Sequence, residues 1–147
     1  MKKLFVALTL LAAMWSLTTN AQQSKQFDDY TVHYAALNSS LISPEVAKAY
    51  GIRRSDSRAL INVSVLKHME NQSPVAVNAT VTASGRNLTG QTRVVEMREI
   101  DENGEAIYYI GELSVSNMET FDFTVSVTPE GQSKPFKVKF RQQFYTE

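Results

Sequence analysis

A chain of 147 residues with 43 % hydrophobic and 20 % charged side chains, no cysteine, and 15 basic groups against 15 acidic ones has the composition of an ordinary globular domain, not of a fibre or a disordered tail. Without cysteine there is no disulfide scaffold and no thiol nucleophile, so apolar burial has to hold the fold. Balanced charge with no block of like sign argues against a nucleic-acid arm, and past the first twenty residues no apolar run is long enough to span a bilayer.

Lys2 and Lys3 precede the apolar run Leu4 to Leu17, polar Thr18, Thr19 and Asn20 follow, and Ala21 supplies the small residue of a cleavage site. That is the organisation of a secretory signal. The run is shorter than the roughly 20 residues of a spanning helix, and no charged stop-transfer flank follows it. The expectation is a cleaved signal over residues 1–21 and a single domain over 22–147, released into a bacterial periplasm. Trp15 leaves with the signal, and the remaining chain carries 13 basic groups against 15 acidic ones.

The first strand is expected over Phe27 to Ala35. Ser43 to Gly51 then departs from the β pattern: an N-cap serine, Pro44 at the first helical position, Glu45 in the first turn and a terminal glycine predict a two-turn helix. It is too short to stand alone and is expected to cap one end of the fold, with Val46 and either Tyr50 or Ala49 against the core. Strands follow at Arg58 to Lys67 and Val75 to Ala83. Gly85 to Thr92 imitates a phosphate-binding loop, but Gln91 stands where the lysine must be and a strand follows instead of a helix, so it reads as a turn. Thr92 to Ile100 and Glu105 to Val115 flank Asn103-Gly104, a strong hairpin signal because both residues accept positive φ. The alternations Phe121, Phe123, Val125, Val127 and Phe136, Val138, Phe140, Phe144 make the last two strands, joined through Pro129 to Lys134.

Seven short, loop-bounded strands predict an all-β, immunoglobulin-like antiparallel β-sandwich with one short helix near its N-terminal end. Its core is expected to contain Ile61, Val63, Val65, Val77, Val81, Val95, Leu113, Phe121, Phe123, Val125, Phe136, Val138 and Phe140.

Catalytic motifs are absent. A serine triad needs a histidine, and His33 and His68 are the only two, neither in a catalytic context; no Gly-x-Ser-x-Gly elbow occurs. Two histidines without short His-x-His or His-x-x-x-His spacing do not make a zinc site, and Asp101 to Glu105 lacks the alternating oxygen ligands of a calcium loop, so no metal or cofactor is expected. Asn38, Asn62, Asn78 and Asn87 open Asn-x-Ser/Thr triplets, which arise readily in Ser/Thr-rich strands. Two surfaces stand out. Arg53, Arg54 and Arg58 follow the helix and offer paired donors to a carboxylate or phosphate, unless Glu45 and Asp56 pair with them. Lys137, Lys139 and Arg141 line the outer face of the last strand, where charge also guards a sheet edge.

The segment Phe27 to Ser40, with its Val32-His33-Tyr34 element, continues through Pro44 to Ala47 and Tyr50-Gly51-Ile52-Arg53-Arg54-Ser55 to Arg58 through Val65. In these residues the chain resembles an uncharacterised family of exported proteobacterial proteins catalogued as a domain of unknown function, the 4426 family. The resemblance implies a Gram-negative exported protein and brings no activity, cofactor or catalytic residue. It coincides with the polar insertion, so His33, Tyr34, Asn38, Tyr50, Arg53, Arg54 and Arg58 are the candidate binding residues. The expected function is a non-catalytic binding or accessory module for a periplasmic protein or envelope component, with no nucleic acid and no membrane span in the mature chain. The alternative is a small-ligand carrier or hydrolase, which requires His33, Tyr34 and the arginines to converge.

Overall fold

The computed structural model describes residues 23–147; the expected signal over 1–21 lies outside the described residues. Ten strands run in order as β1 (Gln23–Phe27), β2 (Tyr30–Asn38), β3 (Arg58–Lys67), β4 (Val75–Ala76), β5 (Ala79–Asn87), β6 (Thr92–Val95), β7 (Arg98–Glu102), β8 (Ala106–Ser114), β9 (Glu119–Pro129) and β10 (Phe136–Phe144). A 3-10 turn (Ser39–Leu41) and one helix, α1 (Pro44–Tyr50), lie between β2 and β3. The large sheet has the order β1-β2-β3-β8-β7 with β4 also on β3, and the small sheet has the order β10-β9-β5-β6. All pairings are antiparallel, so the fold is an all-β sandwich.

The count is ten instead of seven because one strand precedes the expected first and two of the expected strands are interrupted. Asp28 takes a φ of 51° and folds Gln23–Phe27 back onto β2 in register Phe27↔Tyr30. The two interruptions are corners where the chain passes between sheets: β4 pairs with β3 but β5 with β9, and β6 pairs with β5 but β7 with β8. At both corners the two-residue alternation carries on without a break. Val77 and Ala79, like Val95 and Met97, all pack into one core, because both sheets present their inner faces to it. Gly111 makes the second corner possible, since a Cβ there would lie 2.6 Å from Met97 Sδ, 2.6 Å from Val95 Cγ1 and 2.8 Å from the Glu96 carbonyl oxygen.

Val32, Ile61, Val63 and Val65 of the large sheet meet Phe121, Phe123, Val125, Val127, Val138 and Phe144 of the small one, all essentially inaccessible to solvent. The Tyr34–Phe140 ring contact between the sheets, at 4.9 Å between centroids, helps lock the layers together. Of the expected core residues, Val77, Val81, Phe136 and Phe140 are only partly buried, at its margin. The Asn103-Gly104 hairpin forms, with both residues at positive φ.

The helix corrects one expectation. It does not cap an end of the sandwich; it lies on the outward face of the large sheet, where Ala47, Ile52, Leu60 and Ile110 form a second buried cluster. Ala47 is the buried helical residue, and Val46 is 41 % exposed. The reason lies in the strands. β3 and β8 carry apolar residues in both phases of their alternation, Leu60 beside Ile61 and Ile110 beside Tyr109, so this sheet needs cover on both faces. Ser43 caps α1 through its Oγ, which accepts from Val46 N at 3.3 Å, and Gly51 ends it at φ 66°.

Candidate functional site

Beyond Ala47 the helix does not fill the space over the sheet. A cavity of about 320 Å³ opens between α1 and the outward face, lined by Ile42, Val46, Tyr50 and Ile52 on one side and Leu60, Asn62, Ile100, Tyr108 and Ile110 on the other. Cross-strand register places these residues. Ile100 lies opposite Tyr108, and Asn62 opposite Ile110, so three strands contribute one contiguous apolar floor. Its size is at the lower end of small-molecule pockets.

Asn62 is the polar exception in that floor. Its Oδ1 is buried without a hydrogen-bond partner, which costs about 1–3 kcal/mol unless something donates to it. The other three Asn-x-Ser/Thr asparagines are all engaged. Asn38 donates to the Asp56 and Tyr145 carbonyls, Asn78 to Glu99, and Asn87 to Gln91 and Glu119. Asn62 as a whole is half-exposed, and a carboxamide among apolar side chains suits a ligand with one polar group of its own.

A second cavity of about 300 Å³ lies on the same face, lined by His33, Ser64, Leu66, Ala76, Glu105, Ala106, Ile107 and Tyr108. Tyr108 belongs to both cavities. Ser64 lies opposite His33 and two residues beyond Asn62, roughly 7 Å along the strand. The two cavities are therefore neighbours on one face, with Tyr108 in the lining of both.

The residues singled out in the sequence do not converge. His33 lines the second cavity and Tyr50 the first, but Tyr34 points to the opposite face of the sheet and is buried against Phe140, as alternation requires of neighbours in a strand. Asn38 ties the end of β2 to Asp56 and the C-terminal segment. The arginines pin the insertion. Arg54 donates from Nε to the Ile42 carbonyl at 2.7 Å and from Nη2 to the Ser40 carbonyl at 3.1 Å. Arg58 pairs with Glu112 at 3.7 Å, and the same carboxylate accepts from Arg53 N at 3.2 Å. Ser39, fully buried, finishes the anchoring by donating from Oγ towards the Arg53 and Ser55 carbonyls while accepting from Ser55 N. Arg58 starts the strand that reaches Ser64 six residues later, so it stands roughly 20 Å from His33. A hydrolytic site built on His33, Tyr34 and the arginines does not form.

The basic strand β10 is an edge of the small sheet. On it Arg141 is held by Asp122 through two hydrogen bonds of 2.7 and 3.0 Å, and this guanidinium keeps the Asp122 carboxyl below the usual carboxylate range. Tyr109 is perturbed as well. Burial pushes its phenol up to about 12, with Glu99 adding to the rise and the Ala79 N–H opposing it. Its hydroxyl accepts from Ala79 N and donates to Glu99 Oε1, each at 2.8 Å, which ties the β4–β5 corner to β7. Among the described residues no group of three or more His, Asp or Glu is placed to hold a metal, and no helix is long and apolar enough to cross a membrane.

A family described as Domain of unknown function (DUF4426) matches residues 24–147, a span that includes every residue of both cavities. The chain belongs to the DUF4426 family. Its fold is similar to the crystal structure of a DUF4426 family protein from Pseudomonas aeruginosa PAO1, with a TM-score of 0.70 and 36 % identity over 85 % of this chain and 95 % of that one. No curated protein matches. Family membership therefore confirms the resemblance read from the sequence and leaves function to be argued from the site.

Most of the cleft of this DUF4426 domain was missed in the sequence: Ile42, Val46, Ile52, Leu60, Asn62, Ile100, Tyr108 and Ile110. A signal was present. Ala106-Ile107-Tyr108-Tyr109-Ile110 is apolar in both phases, as is Ala59-Leu60-Ile61, and each run marks a strand covered on two sides. Asn62 follows the second run, the position where a polar side chain under a helix is least expected.

Proposed function

We propose that this DUF4426 domain is an exported, non-catalytic binding module that retains a small, largely apolar molecule in the cleft between α1 and the outward face of the large sheet. Export rests on the basic, apolar and small-residue pattern of residues 1–21. The observation that carries the binding reading is the apolar cavity that α1 leaves uncovered, with the half-exposed amide of Asn62 as the one polar side chain other than tyrosine in its lining. The lining offers apolar contact and one hydrogen bond, which suits retention rather than bond-making.

N-phenyl-1-naphthylamine, apolar with a single N–H, is the probe of choice because its fluorescence rises on leaving water. It is expected to bind saturably with one site per chain. Val46→Trp, which places an indole over the mouth from a helix position that is already 41 % exposed, is expected to weaken it at least about ten-fold, a change of about 1.4 kcal/mol. Absence of saturable binding, or equal binding by the variant, contradicts the proposal.

A further inference from the structure

The two cavities differ in chemistry, and the difference identifies the shape and charge of what fits both. The first has no charged side chain in its lining. The second has one, Glu105, together with the Ser64 hydroxyl and the His33 imidazole. Glu105 sits at the tip of the β7–β8 hairpin, where Asp101 and Glu102 add to the acidic field; Glu102 lies opposite Ala106 and so on the same face as Tyr108. Asp101 Oδ1 is occupied by Gly104 N at 2.7 Å, and Glu105 has no basic partner within ion-pair distance among the described residues. The basic groups on this face, Arg58 and Arg98, stand at the opposite end, where Arg58 pairs with Glu112 and Arg98 donates to the Tyr50 carbonyl beside α1.

Resting on the reading that the cleft binds an apolar group, we infer that its occupant is a cationic amphiphile: an apolar body in the first cavity, passing Tyr108, with a protonated amine in the second beside Glu105, Ser64 and His33. An ammonium supplies three donors, matching a carboxylate, a hydroxyl and an imidazole that can all accept. A carboxylate head would face Glu105 and the acidic hairpin and is disfavoured by like charge.

Octylamine, octan-1-ol and octanoate share one apolar body and differ only in the head, so NMR titration of the ¹⁵N-labelled protein at pH 7 separates the two levels of the argument. All three are expected to shift the amides of Asn62 to Ser64 and of Tyr108. The amine is expected to bind about five-fold more tightly than the alcohol, the factor a carboxylate ~4 Å from an ammonium gives in a water-like dielectric, and octanoate is expected to bind most weakly. Glu105→Gln is expected to bring amine and alcohol within two-fold of each other. An amine no tighter than the alcohol, a preference that survives Glu105→Gln, or octanoate binding most tightly with its head at Arg98 overturns this inference and leaves the cleft standing. No binding by any of the three overturns the cleft as well.

Discussion

At Asn62 stability and binding pull in opposite directions. Its carboxamide sits between Ala35 and Ile110 of the flanking strands, with Oδ1 buried and unbonded. A leucine of similar volume would remove that orphan, so Asn62→Leu is expected to raise unfolding stability by about 1 kcal/mol while weakening N-phenyl-1-naphthylamine. Urea denaturation beside a fluorescence titration reads both, and a loss of stability would mean the amide is structurally satisfied. Tyr109 shows the opposite economy, with both lone pair and proton used. Its phenol holds its proton more tightly folded than unfolded, so its contribution is complete below pH 10 and is lost as pH rises towards about 12. Stability measured across that window is therefore expected to fall more steeply for the wild type than for Tyr109→Phe. At neutral pH the variant is expected to be less stable by about 1–3 kcal/mol, because Ala79 N–H loses its acceptor; parallel pH profiles would contradict the assignment.

Among the elements, those specified by short-range chemistry were legible in the sequence, and those specified by contact between sheets were not. Ser43, Pro44 and Gly51 marked the helix within a residue of its observed ends, and Asn103-Gly104 marked its hairpin, because caps and turns are local demands on φ and on backbone donors. The corners at Val77-Asn78 and Glu96-Met97 escaped notice because alternation reports which face is inward, not which sheet a strand belongs to. Gly111 was the hidden mark of the second corner. Gly111→Ala is expected to cost at least about 2 kcal/mol by overpacking, since Val95 and the Glu96 backbone cannot both retreat from a new methyl; thermal unfolding reads this, and an unshifted midpoint would contradict the close approach. The sequence marks the insertion as polar but leaves open whether its arginines converge. Spacing cannot reveal that the Arg54 guanidinium is used on the Ile42 and Ser40 carbonyls. Arg54→Ala is accordingly expected to cost about 1 kcal/mol or more, whereas Arg53, which hydrogen-bonds through its backbone, is expected to change stability by less than about 0.5 kcal/mol as alanine. Equal effects in denaturation would contradict that division of labour.

For the whole molecule, the sandwich supplies rigidity and the insertion between β2 and β3 supplies the site. Two layers share the central core, while α1 adds a partial third layer over the large sheet, and the cleft exists because α1 is only seven residues long and covers part of an apolar face. Ser39 and Arg54 brace that insertion internally, and Glu112 of β8 and Arg98 of β7 hold it to the sheet, which gives the family-like residues of the N-terminal half a structural reason for their character: they build the roof of the cleft, and its floor comes from β3, β7 and β8. The central claim is thus a location. Isoleucine, leucine and valine methyls line the first cavity, so methyl-labelled protein saturated with N-phenyl-1-naphthylamine reports it directly through intermolecular nuclear Overhauser contacts. The account predicts contacts to Ile42, Val46, Ile52, Leu60, Ile100 and Ile110; contacts confined instead to the exposed Leu88 of the β5–β6 turn and Val94 of β6 would contradict it.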